Sequence, residues 1–561
     1  MYLRTTRRRN SDGTEVRYLS LAHNEWDPEA GRSKVRILFN LGREDGLDPA
    51  AIRRLIGSLS RALPADEALA AAAPELRFCE SRPLGGAWLL DGLWSRLGIG
   101  EILARLLRGR RLDPAAERAL FAMVANRALA PSSKLSCAAW VSERVAMPGL
   151  ESLSDDACYR AMDWLTEVEA ELAEQVYWAT ATLLNLEVDL LFFDTTSTYF
   201  ETEAADPPSD GAPAGFRTYS GHSKDHRPDL PQVVIGLAVT RTGIPIRVWT
   251  FPGNASDQEL IRGVKDDLLA WKLGRVVWVT DRGFNSAQNR RYLQRAGGHY
   301  ITGEKLRGES AEANAALARA GRYQTVAGNL QVKEVVLDEG TMRDRFIVCR
   351  NPAEATRDAA VRERLVAGLE DAIAGSDELG PAARAKLACD LRAKPTNRRF
   401  LRTTAAGLLR IDRAAVAADA KLDGKFLLRT SDPTLSAADV ATGYKQLLEV
   451  ERGWRDMKTT LDLRPVHHRK EQRIRAHVLL CWLSLLLIRL AENATGETWR
   501  NLRAEMDKLH LGRFAGPAGE VAQRTEITTR QAAILAAAGV AEPPRYVRVA
   551  TPRVAPAAVT G

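Results

Sequence analysis

Residues 188–194 read VDLLFFD and residues 275–281 read RVVWVTD, two continuous apolar runs that each end in an aspartate. Apolar runs of this length without polar alternation suit strands buried on both faces of a sheet. Between them, PQVVIGLAV (231–239) and IPIRVWTF (244–251) read as two further strands joined by the turn Thr240-Arg-Thr-Gly243. A helix is expected from Asp257 to Leu273, another over 286–296, and a short last strand in HYITG (299–303). The order βββ-α-β-α-β predicts a mixed sheet flanked by helices.

Working outward, residues 1–48 carry short alternating stretches (EVRYLSLAHNEW, SKVRILFNLG) and predict a small β-containing element. Residues 49–186 are rich in Ala and Leu with apolar positions three and four apart, which predicts a helical region. Within it, Ser154 stands where an N-cap is needed, ahead of DDACYRAMDWL. Residues 304–432 carry their own strands (NLQVKEVVLDEG, RDRFIVCR, GKFLLRTSD) and helices (352–373, 380–391), and read as an α+β insertion domain. A long helix at 436–460 and an apolar helix at 473–492 return to the core. Residues 187–303 and 433–492 together then fit an α/β domain with the element order of the ribonuclease-H-like fold. Residues 493–561 end in Pro, Ala and Val and are expected to be a poorly ordered C-terminal tail.

The 561 residues are enough for three or four domains, and 45% hydrophobic with 27% charged residues is ordinary for a soluble globular chain. Lys and Arg number 79 against 71 acids, for a net charge of +8 and a pI near 9.2. That excess suits a polyanionic partner without establishing one. The six cysteines are far apart and make no CxxC or Cys/His spacing, which disfavours a zinc site and reads as reduced thiols. The basic N-terminus lacks an apolar signal core, and the apolar run Val478–Ile488 is too short to span a bilayer. A cytoplasmic protein is expected.

Two carboxylates at the ends of neighbouring strands repel each other unless a cation lies between them. Mg²⁺, a hard ion that takes carboxylate, water and phosphate oxygens, is suited to that place. A third acid emerges from helical geometry. In YKQLLEVERGWRDMKTTLDLRP, Leu447, Val450, Trp454, Met457 and Leu461 make one apolar stripe. Tyr444, Glu451, Arg455, Lys458 and Asp462 share an adjacent face, which mixes acid, phenol and cation as a metal-plus-phosphate site would. Taken singly, a strand-end Asp is an ordinary turn residue and a Glu/Arg/Lys face an ordinary solvated one. Their order along the chain is what joins them.

The chain resembles insertion-sequence transposases of the DDE class, in the group with a β-rich insertion before the catalytic Glu. The motifs that carry the likeness are FFDTTSTYFE, GHSKDHRPDLPQVVIGLAV, FPGNASD, VTDRGF, YKQLLEVERGWRDMK and LRPVHHRKEQRIRAHVLLCWLSLLL, with LAPSSKL and RTE as its outer limits. The group's signature runs Tyr, two residues, Arg, three residues, Glu, six residues, Lys. Tyr444, Glu451 and Lys458 are in register, while Leu447 stands at the Arg position. The resemblance implies that Asp194, Asp281 and Glu451 are catalytic and hold two Mg²⁺ ions, which Mn²⁺ can replace. It also implies phosphate contacts from Tyr444, Lys458 and Arg282, and DNA-end binding by the helical region 49–186. Of Lys445, Arg452 and Arg455, the last is favoured to replace the missing Arg because it shares the Glu451 face.

DNA contact is further expected from His467, His468, Arg469, Lys470, Arg473 and Arg475. The loop residues His222, Lys224 and His226 stand equally between phosphate contact and a solvated turn, and Arg7, Arg8 and Arg9 are lesser candidates for an end-binding module. Trp249, Trp278 and Trp454 read as core. The expected activity is cut-and-paste transposition: a freed 3′-hydroxyl attacks a phosphodiester, in relatives by way of a DNA hairpin. The partners are double-stranded DNA (terminal inverted repeats and target) and a second copy of the chain. The alternatives are a ribonuclease-H-like nuclease that cuts without joining, or a catalytically silent, transposase-derived DNA-binding protein.

Overall fold

In the computed structural model the strands around Asp194 belong to a nine-stranded mixed sheet. The structure describes all residues except 11–13, 61, 63–75, 111–114, 187–188, 203, 209–214, 220–222, 272, 274, 308–309, 340–341, 517–518 and 551–561.

The chain divides into two compact units. The first takes in residues 1–80, 512–523 and those from 546 on. Here β1 (Tyr2–Arg9), β2 (Glu15–Asp27) and β3 (Arg32–Arg43) make an antiparallel sheet in that order, over the segment read as a small β element. A helix, α1 (Pro49–Ser60), and a strand, β4 (Arg77–Pro83), follow.

The second unit takes in Ser81–Leu511 and Arg524–Arg545. Its helices include α2 (Ala116–Leu129) and α3 (Asp155–Glu167), the latter capped by Ser154, whose Oγ accepts from the Ala157 amide at 3.1 Å. The sheet begins with β5 (Leu190–Tyr199), β6 (Gln232–Val239) and β7 (Pro245–Pro252). Then come α4 (Asp257–Leu269), β8 (Val277–Thr280) and β9 (His299–Glu304). Every residue of β6 and β8 is buried, as unbroken apolar runs require. β5 pairs antiparallel with β6 and parallel with β8, and β8 parallel with β9, so the sheet is mixed.

The segment 304–432 is not a separate domain. Its strands β10 (Gln324–Ala327), β11 (Leu330–Glu339) and β12 (Met342–Arg350) extend the same sheet. After a small ribbon of β13 (Leu401–Thr403) and β14 (Leu409–Ile411), β15 (Lys425–Thr430) pairs with β9, placing Leu427 opposite Glu304 and Thr430 opposite Ile301. The resulting order is β10-β11-β12-β15-β9-β8-β5-β6-β7. An edge strand with apolar residues on both faces, as β9 would be, gains from a partner that pairs its free backbone groups. The helices around 352–420 keep small apolar clusters of their own, such as Val366, Leu369, Phe400 and Ile411, and Ala313, Ala316, Val335 and Phe346 belong to another.

The expected long helix at 436–460 breaks at Gln446–Leu447 into α5 (Ala437–Lys445) and α6 (Leu448–Thr459). The apolar stripe survives the break: Leu447, Val450, Trp454, Met457 and Leu461 are all buried. Next, α7 (Glu471–Thr495) is long and apolar enough to cross a membrane by composition, yet it lies inside the fold. A helix apolar on all sides needs cover on all sides. It receives that cover from α2, α3 and β7. For this reason the helices from Gly85 onward share one core with the sheet, and 49–186 is not a domain by itself.

Nor is the expected tail loose over its described residues. It holds the end of α7, then α8 (Trp499–Met506), β16 (His510–Gly516), β17 (Gly519–Arg524), α9 (Thr529–Ala537) and β18 (Tyr546–Ala550). The three strands join β4 in a sheet ordered β18-β17-β16-β4. Trp499, Leu502, Met506, Ile534 and Leu535 are buried, and that burial orders the segment. The Pro/Ala/Val-rich end, 551–561, lies outside the described residues.

Phe192, fully buried on β5, tests this core. Phe192→Ala should destabilise the second unit by about 3–5 kcal/mol. Leu448→Ala, at a position 63% exposed, should leave the urea midpoint unchanged.

Candidate active site

The register of β5 on β8 sets the two aspartates side by side. The last parallel pair is Phe193 with Thr280, so Asp194 and Asp281 each come next beyond it. Asp194 does not end its strand, contrary to expectation. β5 continues through Thr195–Tyr199, with Asp194 opposite Leu237 of β6, because the β-branched TTSTY stretch keeps the chain extended. Asp281 does leave its strand and opens a short turn at Arg282–Phe284.

The Asp194 side chain is 22% exposed. Burial pushes its carboxyl above the ordinary value, the Lys224 ammonium pulls it back, and the Asp257 and Asp281 carboxylates add to the push. Lys224 Nζ lies 3.7 Å from Asp194 Oδ1 and 3.3 Å from Asp257 Oδ2. It also donates to the Thr195 carbonyl at 2.7 Å and the Thr195 hydroxyl at 2.6 Å. The Thr195 hydroxyl in turn donates to Asp257. Asp257 is thus a further carboxylate beside Asp194. It comes from the FPGNASD motif, where by sequence it reads only as the start of a helix.

Tyr444, the last turn of α5, donates its hydroxyl to Asp281 Oδ1 at 3.3 Å. Burial, with the Asp281 and Glu451 carboxylates, holds the phenol protonated well above its ordinary range. Its ring stacks on Phe426 at 6.4 Å. The approach depends on Gly303: a Cβ there would stand 2.6 Å from the Tyr444 hydroxyl oxygen. Asp281, Arg282, Gly303, Lys305, Arg307 and Tyr444 line an open cleft of about 480 Å³, with three cations on its walls. Glu451 is exposed on α6, within electrostatic reach of Tyr444.

Lys458 faces inward from α6, only 13% exposed, and donates to the Thr196 hydroxyl and to Asp225 Oδ1, both at 2.7 Å. Asp225 follows Lys224 in the GHSKDHRPD motif. It is 3% exposed and also takes Arg464 Nη1 at 2.6 Å on the same oxygen. The turn that delivers these residues carries His226 in the left-handed region (φ 57°). His222 lies outside the described residues.

The basic residues after α6 divide. His467, Arg469 and Lys470 are exposed. By contrast, burial holds the His468 imidazole down at about 4, and its ring packs edge-on against Tyr159. Arg473 pairs with Asp163 at 2.8 Å over the Tyr159 ring, and Arg475 donates to the Thr250 carbonyl over Phe216. These three serve the packing of the fold. Trp249, Trp278 and Trp454 are buried, as read from sequence.

Among the described residues, no three His, Cys, Asp or Glu side chains stand close enough together to enclose a cation. The donor chemistry is nevertheless that of a hard divalent ion: carboxylate oxygens, with coordination left for water and phosphate. The buried Asp194, pressed by two like charges, already draws a cation, the Lys224 ammonium.

The family described as "Transposase DDE domain" matches residues 191–487, and that described as "IS1634 family transposase, N-terminal domain" matches residues 3–71. No curated protein matches the chain. Among solved structures, the piggyBac transposase synaptic complex with hairpin DNA is similar at 10% identity and a TM-score of 0.34, covering 75% of this chain and 78% of that one. The match spans Asp194, Asp281, the insertion and the helix that carries Glu451: the chain belongs to the DDE transposases of insertion sequences, DNA-binding enzymes that cleave and join DNA with divalent metal.

Proposed function

We propose that this transposase works on the inverted-repeat ends of its own element by cut-and-paste, with Asp194, Asp281 and Glu451 as the catalytic acids. The observation that carries the assignment is the Phe193–Thr280 register, which leaves Asp194 and Asp281 as neighbours at one point of the sheet. The same strand order supports a ribonuclease-H-like core, with Glu451 arriving from a later helix. The three acids would hold two Mg²⁺ ions, or Mn²⁺ in their place. When bound, the ions supply activation of the attacking oxygen and stabilisation of the leaving one.

The chain's own residues do the rest. Tyr444 fixes the Asp281 carboxylate by its hydrogen bond and stays protonated to do so. Lys224 neutralises Asp194 and Asp257 before substrate arrives. Arg282, Lys305 and Arg307 give the cleft beside Asp281 a lining suited to DNA phosphates. An attacking 3′-hydroxyl and the scissile phosphodiester are then held in line by positioning and charge, which suffices for phosphoryl transfer. The helices before the sheet and the first unit would bind the element's ends. Two copies of the chain would bring both ends together, in the cytoplasm of the host cell.

A strand-transfer assay with purified protein, Mg²⁺ and the element's ends tests the assignment. Asp194→Asn, Asp281→Asn and Glu451→Gln should each lower cleavage and joining by more than about 10³-fold. Intact activity in any of the three removes that acid from the triad. Cutting without joined products would favour a nuclease, and binding without cutting a silent descendant.

Tyr444→Phe keeps the ring on Phe426 but loses the bond to Asp281. It should slow cleavage by about 10- to 100-fold, as expected for a hydrogen bond to a charged group. Gly303→Ala should give a similar loss by pushing the Tyr444 hydroxyl away, with thermal stability little changed. Single-turnover rates on a labelled end check both.

A further inference from the structure

The buried carboxylate of Asp225 holds two cations on one oxygen: Lys458 Nζ at 2.7 Å and Arg464 Nη1 at 2.6 Å. Its other oxygen, Oδ2, is buried without a hydrogen-bond partner. One carboxylate between two cations leaves a local excess of one positive charge. A buried carboxylate is costly to keep unless it organises its partners. Lys458 is fixed from a second side by the Thr196 hydroxyl, two residues beyond Asp194 on β5. Arg464 is 33% exposed, with its guanidinium 5.9 Å from the Tyr199 ring centroid at the far end of the same strand. The ion pair engages one of three guanidinium nitrogens, and a planar fork with donors to spare is the group that grips phosphate.

The residues favoured by sequence to replace the missing Arg at position 447 are placed otherwise. Leu447 itself is buried. Arg452 pairs with Glu492 at 2.9 Å and lies 3.8 Å from Glu449. The charge of Lys445 bears on the buried thiol of Cys349, on β12. Arg455 lines a different groove of about 720 Å³, with Arg500 and Arg503, where neither Asp194 nor Asp281 is found.

We infer that Arg464 makes the DNA-phosphate contact that Leu447 leaves without an owner, and that Asp225 is a positioning residue holding Arg464 and Lys458 side by side for it. This rests on the transposase reading of the site and adds two residues to it. Arg464 touches substrate, whereas Asp225 acts through the two cations.

The test uses the full chain, a pre-formed element end and Mg²⁺. Arg464→Ala should slow single-turnover cleavage by about 10- to 100-fold and lower the slope of log affinity against log salt by about one. Arg464→Lys should recover the slope, and Arg455→Ala should leave both readouts at the parent level. Asp225→Asn should slow cleavage while binding the end at least as tightly, since an anion has been removed from a DNA-facing place. A merely structural loss would weaken rate and binding together and would overturn the role of Asp225.

Should Arg464→Ala reduce stability, the DNA can be changed instead. Neutral methylphosphonates placed one at a time should slow the parent at one position near the end, and Arg464→Ala should lose nothing further there. Additive losses at every position, or a slope that falls with Arg455→Ala and not with Arg464→Ala, would overturn the inference. Asp281→Asn run alongside separates the two levels. Activity in that variant sinks the reading of the site, whereas its loss beside an unaffected Arg464→Ala sinks only this inference.

Discussion

The parallel pairing of β5 with β8 is the constraint on which the rest depends. It brings two carboxylates to one place, where burial already penalises the charge on Asp194. Like charges at that separation must be neutralised, by a lysine from within or by cations from outside. The features around the pair follow from this need. Lys224 and Thr195 bind Asp194 to Asp257, Tyr444 fixes Asp281, and cations line the cleft beside it. A fold that buried the same strands one residue out of register would turn one acid to the opposite face and lose the site.

The turn around Ser223–Arg227 is the second organising element. Its consecutive Lys224 and Asp225 point charges of opposite sign to two places, one at Asp194 and one at Lys458 and Arg464. A single short segment thereby couples β5 to the helix after the insertion, although the two are far apart in sequence. Arg127, buried in α2, ties down the same region from beneath by donating to the carbonyls of Leu461 and Asp462. The helical segment before the sheet therefore supports the turn after the Glu451 helix as well as covering the core.

Much of the sheet was legible because strands buried on both faces leave a plain signature, as FFD, VVIGLAV and VVWVTD do. The apolar stripe from Leu447 to Leu461 was legible for the same reason, through its period. Joining was less legible than existence. Nothing in GKFLLRTSD announces that it pairs with HYITG across more than 120 residues, so the insertion read as a domain when it extends the sheet. The tail misled by composition, since its Pro and Ala residues hide the core positions Trp499, Leu502 and Met506. At the site, the acids on strands and helices could be read from their elements. Asp225 and Arg464 could not, because a residue in a loop has no period and its partners come from the fold, and Asp257 reads only as the start of a helix. Their only signal was membership in the motifs GHSKDHRPD, FPGNASD and LRPVHH. The basic run at 467–475 shows the converse: charge density in sequence did not separate Arg473 and Arg475, which pack inward, from Arg469 and Lys470, which do not.

The central claim is that Asp194, Asp281 and Glu451 meet on the same cations when the enzyme is loaded. Iron(II) substituted for Mg²⁺ on the end-bound protein, with ascorbate and peroxide, cuts the polypeptide wherever the bound metal sits. The account predicts fragments whose ends cluster at three places, near residues 194, 281 and 451, and their suppression by excess Mg²⁺. Cuts near 194 and 281 with none near 451, or cuts insensitive to Mg²⁺, would contradict it.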